Sequence, residues 1–458
     1  MTKLSLEQLV SLAKRRGFVF QGSELYGGLA GTYDYGPLGV LLKNNLRELW
    51  WRHFVTERSD VYGLDTAILM NAKVWEASGH TGAGFVDALV EDLKTHKRYR
   101  ADHLLEESGV DNVSELDFDQ LQAKIKELKL KSPDGNELSP LRQFNLMFAT
   151  NIGPVEDTAS KAYLRPETAQ GMFVNFKNVL DSMHPRLPFG LAQSGKTFRN
   201  EITPRDFLFR VREFEIMELE YFIKAETWEE QFKAWQKASY DWFERIGLAK
   251  SDIRELEVPE ADRAHYSKRT VDFEYKFEGI GQKEIAALAY RTDFDLKNHT
   301  EHSGVDLSYT DPTTNDKFIP HVLEPTFGLD RHILAVMSAG YEEEEVGGEK
   351  RVVLKLKPEL APIKVAVLPL SKNEKLTPLA HEVFDAIRGE LSVEYDETQS
   401  IGRRYRRQDE IGTPLCVTVD FDSLEDKAVT IRHRDTMKQE RVKIKDLRKA
   451  IEKQLMDF

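Results

Sequence analysis

Two neighbouring stretches decide how this chain folds: GKTFRNE (195–201) and, after the link ITPRDFLF (202–209), RVREFEIMELEYFI (210–223). Read as a strand, 210–223 places Arg212, Phe214, Ile216 and Glu218 on one face. A buried strand is ordinarily apolar, and charge turned inward needs a charged ligand or an ion-pair partner to offset desolvation. At ~3.3 Å per residue, Phe214 and Glu218 lie ~13 Å apart, about the span of an adenosine phosphate joined to a small acyl group. An antiparallel hairpin with 195–201 brings Arg199 and Glu201 beside Phe214. That surface offers a cation for phosphate, an aromatic for a base and a carboxylate for an amine. The same residues also allow a ligand-free, salt-bridged sheet with Arg199 paired to Glu213.

Working outward, EPTFGLDRHILAVMSAG (324–340) reads as a helix opened by Gly328, with Leu329, Ile333, Val336 and Met337 in helical step. Arg331 in its first turn reinforces the anion preference of a helix N-terminus, or is an ordinary surface arginine. YLRPETAQGMF (163–173) reads as a strand-to-helix turn in which Glu167 caps the helix or faces a ligand. YGPLGVLLKNNLRELWWRHFVTE (35–57) is a helix whose broad apolar face suits a subunit interface or a core. Residues 226–247 form another amphipathic helix. The polar stretch 85–140 reads as a helical insertion ending in the turn SPDGN (132–136). GHTGAGF (79–85) lacks the strand–helix context of a dinucleotide loop. Past Pro358 and Pro362, strand and helix alternate through a small α/β domain over 359–458.

The chain has 458 residues, 41% of them apolar and 31% charged, which suits a globular chain with a large core. No apolar run reaches the ~20 residues of a membrane-spanning helix, and MTKLSLEQLVSLAKRRG (1–17) lacks the core of a signal peptide. A cytoplasmic location is the simplest expectation. One cysteine, Cys416, excludes a disulfide framework or a cysteine zinc cluster within the chain. The net charge of −13 gives no overall nucleic-acid footprint. From Ala361 onward, however, 18 basic residues balance 18 acidic ones, and GRRYRRQDEIG (402–412) is locally basic. That helix suits RNA contact or is a solvated face.

These elements, in this order, resemble the class II aminoacyl-tRNA synthetases over nearly the whole chain. The segment around GPLG (motif 1, about 35–57) looks like the family's dimer-interface element. FRNE with RVREFE lies in motif 2 (about 195–223), and GLDR in motif 3 (about 324–340). RPETAQG and the long motif 2 block are most similar to the homodimeric glycyl-tRNA synthetases. The resemblance implies an α+β fold: a class II antiparallel sheet flanked by helices over 1–84 and 141–358, the insertion at 85–140, and a C-terminal α/β anticodon-binding domain at 359–458.

The resemblance further implies glycine activation by ATP and transfer to tRNA(Gly), by a homodimer without membrane attachment. Its ATP contacts fall on Arg199, Asn200, Glu201, Phe209, Arg210, Val211, Arg212, Glu213, Phe214, Glu284, Ile285, Gly328, Leu329, Asp330 and Arg331. Arg199 matches the α-phosphate arginine, Glu201 the adenine amino contact, Phe214 the adenine stacker, Arg210 a phosphate-tail contact, and Arg331 the γ-phosphate arginine. Glu284 matches a Mg²⁺ ligand. Glycine contacts fall on Arg100, Glu167, Phe214, Glu215, Ile216, Met217, Glu218, Arg291, Glu324, Pro325, Thr326, Phe327 and Gly328. Glu167, Glu218 and Glu324 match the ammonium site, Arg291 the carboxylate site, and Thr326 the Cα site, where relatives often carry serine. Arg403, Arg404, Arg406 and Arg407 are the expected tRNA contacts. Many relatives carry paired cysteines in the insertion; this chain has none, so no zinc is expected. Some synthetase-like proteins are non-catalytic nucleic-acid binders that have lost these charges, whereas this chain keeps Arg199, Glu201, Arg331, Glu167 and Glu324.

Overall fold

A computed structural model describes residues 5–82, 85–110, 113, 116–154 and 161–458. Its centre is a seven-stranded sheet: β1 (Val61–Gly63), β2 (Phe189–Phe198), β3 (Glu213–Ile223), β4 (Ile253–Glu257), β5 (Arg269–Phe277), β6 (Gly281–Thr292) and β7 (His321–Gly328), ordered β4-β5-β6-β7-β3-β2-β1. Every pairing is antiparallel except that of β2 with the short edge strand β1. The hairpin expected from the opening stretches is β2–β3, with Thr197 opposite Phe214 and Phe198 opposite Glu213.

The period of two sorts each strand onto two very different faces. Odd-numbered Met217, Leu219, Tyr221 and Ile223 of β3 join Leu323 and Phe327 of β7 in the main core. Helices α1 (Pro37–Trp51), α2 (Ala169–Met183), α3 (Trp228–Arg245), α4 (Phe294–Ser303) and α5 (Leu329–Gly340) flank the sheet. From this set α1, α3 and α5 cover the odd face, with Trp50, Phe54, Trp235, Trp242 and Phe243 filling it. Trp50 of the tryptophan pair is fully buried, whereas Trp51 is half-buried. Pro37 starts α1, and Gly39 is required two residues later, because a Cβ there would stand 1.8 Å from the Phe18 carbonyl oxygen.

On the opposite face only the far end is apolar. There Phe222, Val322 and Leu191 are sealed by Met172, Phe173 and Phe176 of α2 and Leu296 of α4. Gly171 in RPETAQG lets α2 approach closely: a Cβ would meet Thr66 Oγ1 at 2.1 Å. The near end of this face, from Phe214 to Glu220, is where the charged side chains lie.

The segment 85–145 differs from the helical insertion expected over 85–140. Strands Arg98–Arg100, Val86–Glu91 and Arg142–Asn145 form an antiparallel sheet in that order, covered by helices Ala101–Glu107 and Phe118–Glu127 over a small core including Leu104, Leu105, Leu121 and Ile125. The C-terminal segment forms a five-stranded sheet ordered 393–395, 365–369, 415–419, 428–433, 439–443, parallel across the first three strands and antiparallel thereafter. Its helix α6 (Ile401–Ile411) carries the basic cluster. Buried Arg351, in the hairpin that follows α5, donates to Asp409 of α6 (2.8 Å) and to the Arg434 carbonyl (2.6 Å), tying the two parts together.

Candidate active site

The near end of the even face opens into a cleft lined by Arg199, Glu201, Phe209, Arg210, Val211, Phe214, Ile216, Glu218, Glu284, Thr326, Gly328 and Arg331, among others. Arg199 follows the last residue of β2. Its backbone N–H is held by the Arg212 carbonyl (2.9 Å), and its Nε donates to the Pro166 carbonyl (3.2 Å). Its guanidinium stands over the rings of Phe85 and Phe214, at 5.7 and 5.6 Å. Among the described residues Arg199 makes no ion pair; Glu213, the alternative partner, is taken by Lys196 on the other side of the strand. Arg331, in the first turn of α5, donates to the carbonyls of Phe209 (3.3 Å) and Glu284 (3.0 Å) and reaches the Glu284 carboxylate at 3.1 Å. Two guanidiniums thus face one cleft with little carboxylate to neutralise them, an arrangement suited to a polyanion.

Deeper along the face the sign reverses. Glu218 Oε2 accepts from Thr168 N (3.0 Å) and Thr168 Oγ1 (2.6 Å), so a strand carboxylate caps α2, while its Oε1 accepts from Thr326 Oγ1 (3.0 Å). Glu167 leaves the cap to Thr168 and Glu218; it lies 3.1 Å from His80 Nε2 and accepts from Gln170 (3.0 Å). Arg291, fully buried, donates twice to Asp295 (2.8 Å each) and once to Glu324 (2.7 Å), with its guanidinium 3.6 Å above the Tyr266 ring. Burial pushes Glu324 up to about 8 even against Arg291, with Glu218 and Glu167 adding to the rise. Burial also raises Glu218, reinforced by Glu167. Burial acts the same way on Glu167, but His80 and Arg291 outweigh it and hold that carboxyl below its usual range. The excess of carboxylates is therefore stabilised by an arriving cation such as an ammonium group.

Several expected contacts are engaged within the protein: Glu215 and Asp330 border the cleft, and the others lie outside its lining. Met217, Ile285, Phe327 and Leu329 point their side chains into the core, leaving only backbone for a ligand, and Pro325 is buried beside them on β7. Arg212 turns to the Ala30 and Glu201 carbonyls. Asn200 lies half-buried at the rim, its N–H bonded to the Leu146 carbonyl (2.8 Å). Glu215 binds Lys43 and Arg47 (3.1 Å) of α1. Asp330 accepts from the Glu215 N–H (2.6 Å) and the Tyr35 hydroxyl, so segments from all three motifs are linked behind the cleft. Arg291, expected at a substrate carboxylate, is already balanced by Asp295 and Glu324. Arg100 is held by Asp87 (3.1 Å) and Asp102 (2.6 Å) on the insertion. Burial, only partly countered by Arg100, pushes Asp87 up to about 6. Sequence reasoning passed over His80, Gln170 and Asp295. Only Asp295 carried a signal, its four-residue spacing from Arg291. Asp272, half-buried on β5, was also missed; burial and then the charge of Glu284 push it up to about 7.

The four arginines of α6 do not form one surface. Arg404 is fully buried and donates to the carbonyls of Asp396 (3.0 Å) and Leu370 (3.2 Å), so it cannot touch RNA, contrary to expectation. Arg407 is paired with Asp396. Arg403 is exposed, and Arg406 keeps partial exposure 3.7 Å from Asp409.

Comparison with known proteins agrees with this geometry. Residues 153–340 match the tRNA synthetase class II core domain (G, H, P, S and T), and residues 364–454 match the anticodon binding domain. The chain is 51% identical to the glycine--tRNA ligase of Bacillus anthracis over 98% of its length and 99% of the relative's. It is also 51% identical to that of Clostridium acetobutylicum, with the same coverage. Prolyl-tRNA synthetase of Giardia lamblia, solved with prolyl-adenylate, shares the fold at 15% identity, with a TM-score of 0.67, covering 99% of this chain and 80% of that one. A catalytic sheet, three linked motifs, an anticodon-binding domain and full-length relatives at half identity lead to one conclusion: this chain belongs to the glycine--tRNA ligase family of class II aminoacyl-tRNA synthetases.

Proposed function

We propose that the chain activates glycine with ATP and transfers it to tRNA(Gly). In the first step the glycine carboxylate attacks the α-phosphorus in line; the bond to the β-phosphate oxygen breaks, giving glycyl-adenylate and pyrophosphate. In the second, the 3′-hydroxyl of the terminal ribose attacks the acyl carbon and AMP leaves. The observation that carries this reading is the polarity of one sheet face: two weakly neutralised guanidiniums at its open end, a buried carboxylate cluster at its closed end, and Phe214 between them.

Arg199 binds the α-phosphate and Arg331 the γ-phosphate, the latter aided by the N-terminus of α5. Phe214 stacks on adenine and Glu201 accepts from its amino group, while Arg210 steadies the phosphate tail. Glu167, Glu218 and Glu324 surround the ammonium. Arg291 keeps Glu324 oriented rather than meeting the substrate carboxylate, because Asp295 and Glu324 already balance it. Thr326, tied to Glu218, stands at the Cα and sterically rejects any side chain, a stronger filter than the ~1–3 kcal/mol of a missing apolar contact. No side-chain nucleophile is needed; positioning and charge stabilisation lower the barrier.

The donor set fits Mg²⁺ with the nucleotide: Glu284, partly exposed in the cleft and paired with Arg331 at 3.1 Å, and half-buried Asp272, which feels its charge, are two carboxylates that would hold the ion. Mg²⁺ held there supplies neutralisation of the triphosphate. Arg403 and Arg406 contact tRNA. The chain acts as a homodimer in the cytoplasm; the exposed Leu25, Tyr26 and Leu29 near α1 support the dimer. No helix among the described residues is long and apolar enough to cross a membrane. Purified protein given ATP, Mg²⁺, labelled glycine and tRNA is expected to render the label acid-precipitable on the tRNA 3′ end. Absence of transfer under conditions where adenylate forms would remove the second step.

A further inference from the structure

One buried group in the site has no role in the scheme above. Glu220, two residues beyond Glu218 on the same face of β3, is fully buried, and among the described residues neither carboxylate oxygen has a hydrogen-bond partner. The β3–β7 register pairs Glu218 with Thr326 and Tyr221 with Leu323, which sets Glu220 across from Glu324. Glu218, Glu220 and Glu324 each offer an oxygen within 4.8 Å of the others. On the side of β2 its register neighbour is Leu191, which offers no donor.

The surrounding charges do not balance. Glu218 faces Glu220 from β3 itself and Glu324 from β7. Arg291 of β6 lies near, but its donors are engaged by Asp295 of α4 and by Glu324. From α2, Gln170 is committed to Glu167, Asp295 and His299 of α4, while Glu167 is matched by His80. Tyr266 lies over Arg291. Among the described residues these five buried carboxyls form ion pairs only with Arg291 and His80, buried Arg165 acts on Glu218 and His299 on Asp295 from a distance, and Glu220 is the one left without a hydrogen-bond partner. An ionised Glu220 in an empty site would be an uncompensated buried charge.

We propose that Glu220 is a positioning residue of the amino-acid site: it carries a proton beside Glu324 while the site is empty and releases it when an ammonium group enters. The O–H bond of Glu220 breaks, its electron pair stays on the carboxylate, and the proton passes to buffer. The incoming cation then meets a stronger negative field than the resting protein could sustain. Burial, followed by the charge of Glu324, raises Glu220 well above the usual carboxylate range, in agreement with the geometry. The sign follows: a cation favours the ionised acid, so glycine binds more tightly as pH rises, until the pair is ionised without help or the substrate amine itself deprotonates.

The inference rests on the proposed glycine site. Its test is titration calorimetry of the full chain with glycine in two buffers of different ionisation enthalpy, together with the glycine KM in ATP–pyrophosphate exchange from about pH 6 to about pH 8. Wild type is expected to release at least about one proton per glycine and to show KM falling by about tenfold or more per pH unit. Glu220→Gln, the neutral isostere, should release up to about one proton fewer than wild type, any remainder coming from Glu324, and show a shallower KM profile at unchanged thermal stability. Glu220→Met serves as the apolar comparison if the amide perturbs the fold. Equal proton release in wild type and both variants overturns the proposal while leaving the glycine site standing. Absence of glycine-dependent exchange at every pH overturns the site itself.

Discussion

At the residue scale, function here costs stability. Glu218 and Glu324 are held where burial penalises their charge, so a bound cation would relieve strain that the protein otherwise carries. Glu324, with a folded-state value of about 8, keeps a proton that the unfolded chain loses near ~4.3. The folded state therefore binds more protons across that window, and stability of the empty protein should fall as pH rises from about 5 to about 8, on the order of 1 kcal/mol per unit. Glu167, whose value is lowered, acts with the opposite sign and only in acid. Thermal melts across that range should show the decline, and saturating glycine with ATP should shrink it; a flat profile would mean these acids are neutralised internally. Arg199 gives a sharper case. Because its guanidinium has no carboxylate partner among the described residues, Arg199→Ala should reduce pyrophosphate exchange by at least about 10²-fold while moving the melting temperature by only a degree or two. Near-normal exchange in that variant would refute the phosphate role.

Much of this site is legible in the sequence because a strand exposes its own logic. Period two alone places Phe214, Ile216 and Glu218 on one face, and the same rule reaches Glu220 one step further along. His80 is not legible: it approaches Glu167 from 87 residues away in sequence, through a glycine-rich turn that carries no periodic signal. The engagement of Arg291 by Asp295 also depends on a bend between β6 and α4 that spacing alone only hints at.

At the element scale, long amphipathic pieces are legible and short ones are not. Helices α1, α3 and α5 run close to where their apolar spacing places them. The insertion reads as helical in sequence because its strands are only 3–6 residues long and rich in polar side chains, as in RYR and RQFN. Their pairing is fixed by partners far away in sequence. Helix α6 teaches a related lesson. Its four arginines, close together in sequence, look like one basic patch, but helical rotation turns Arg404 into the domain and leaves Arg403 and Arg406 toward solvent. Replacing Arg403 and Arg406 together by alanine should raise the KM for tRNA about tenfold, with glycine-dependent exchange unchanged. Arg404→Ala should instead cost on the order of 3 kcal/mol in unfolding free energy, since it strips buried carbonyls of their donor. Denaturation curves and charging kinetics on the two variants separate the roles; a stable Arg404→Ala protein with a selective tRNA defect would reverse them.

At the scale of the whole molecule, the fold connects surfaces that must act together. Asp330 and Glu215 link α1 to the cleft, and Arg351 links the hairpin after α5 to α6. If α1 and the preceding hairpin form the subunit contact, assembly braces the nucleotide site. Leu25 and Tyr26, each 89% exposed at that hairpin's tip, are then covered by the partner. Sedimentation equilibrium is expected to give twice the chain mass, and the double substitution Leu25→Ser with Tyr26→Ser should shift the protein toward monomer. A monomeric wild type would end the homodimer reading. The alternation of strand and helix after Pro358 is legible in the sequence, whereas these cross-links are not, because each joins residues that no local pattern relates.

The central claim is that the charged face of the sheet holds ATP at one end and glycine at the other. ATP–pyrophosphate exchange measured separately with each of the twenty amino acids tests it directly. Exchange should be supported by glycine, with alanine and serine at background. Exchange driven by a different amino acid, or by none, would contradict it.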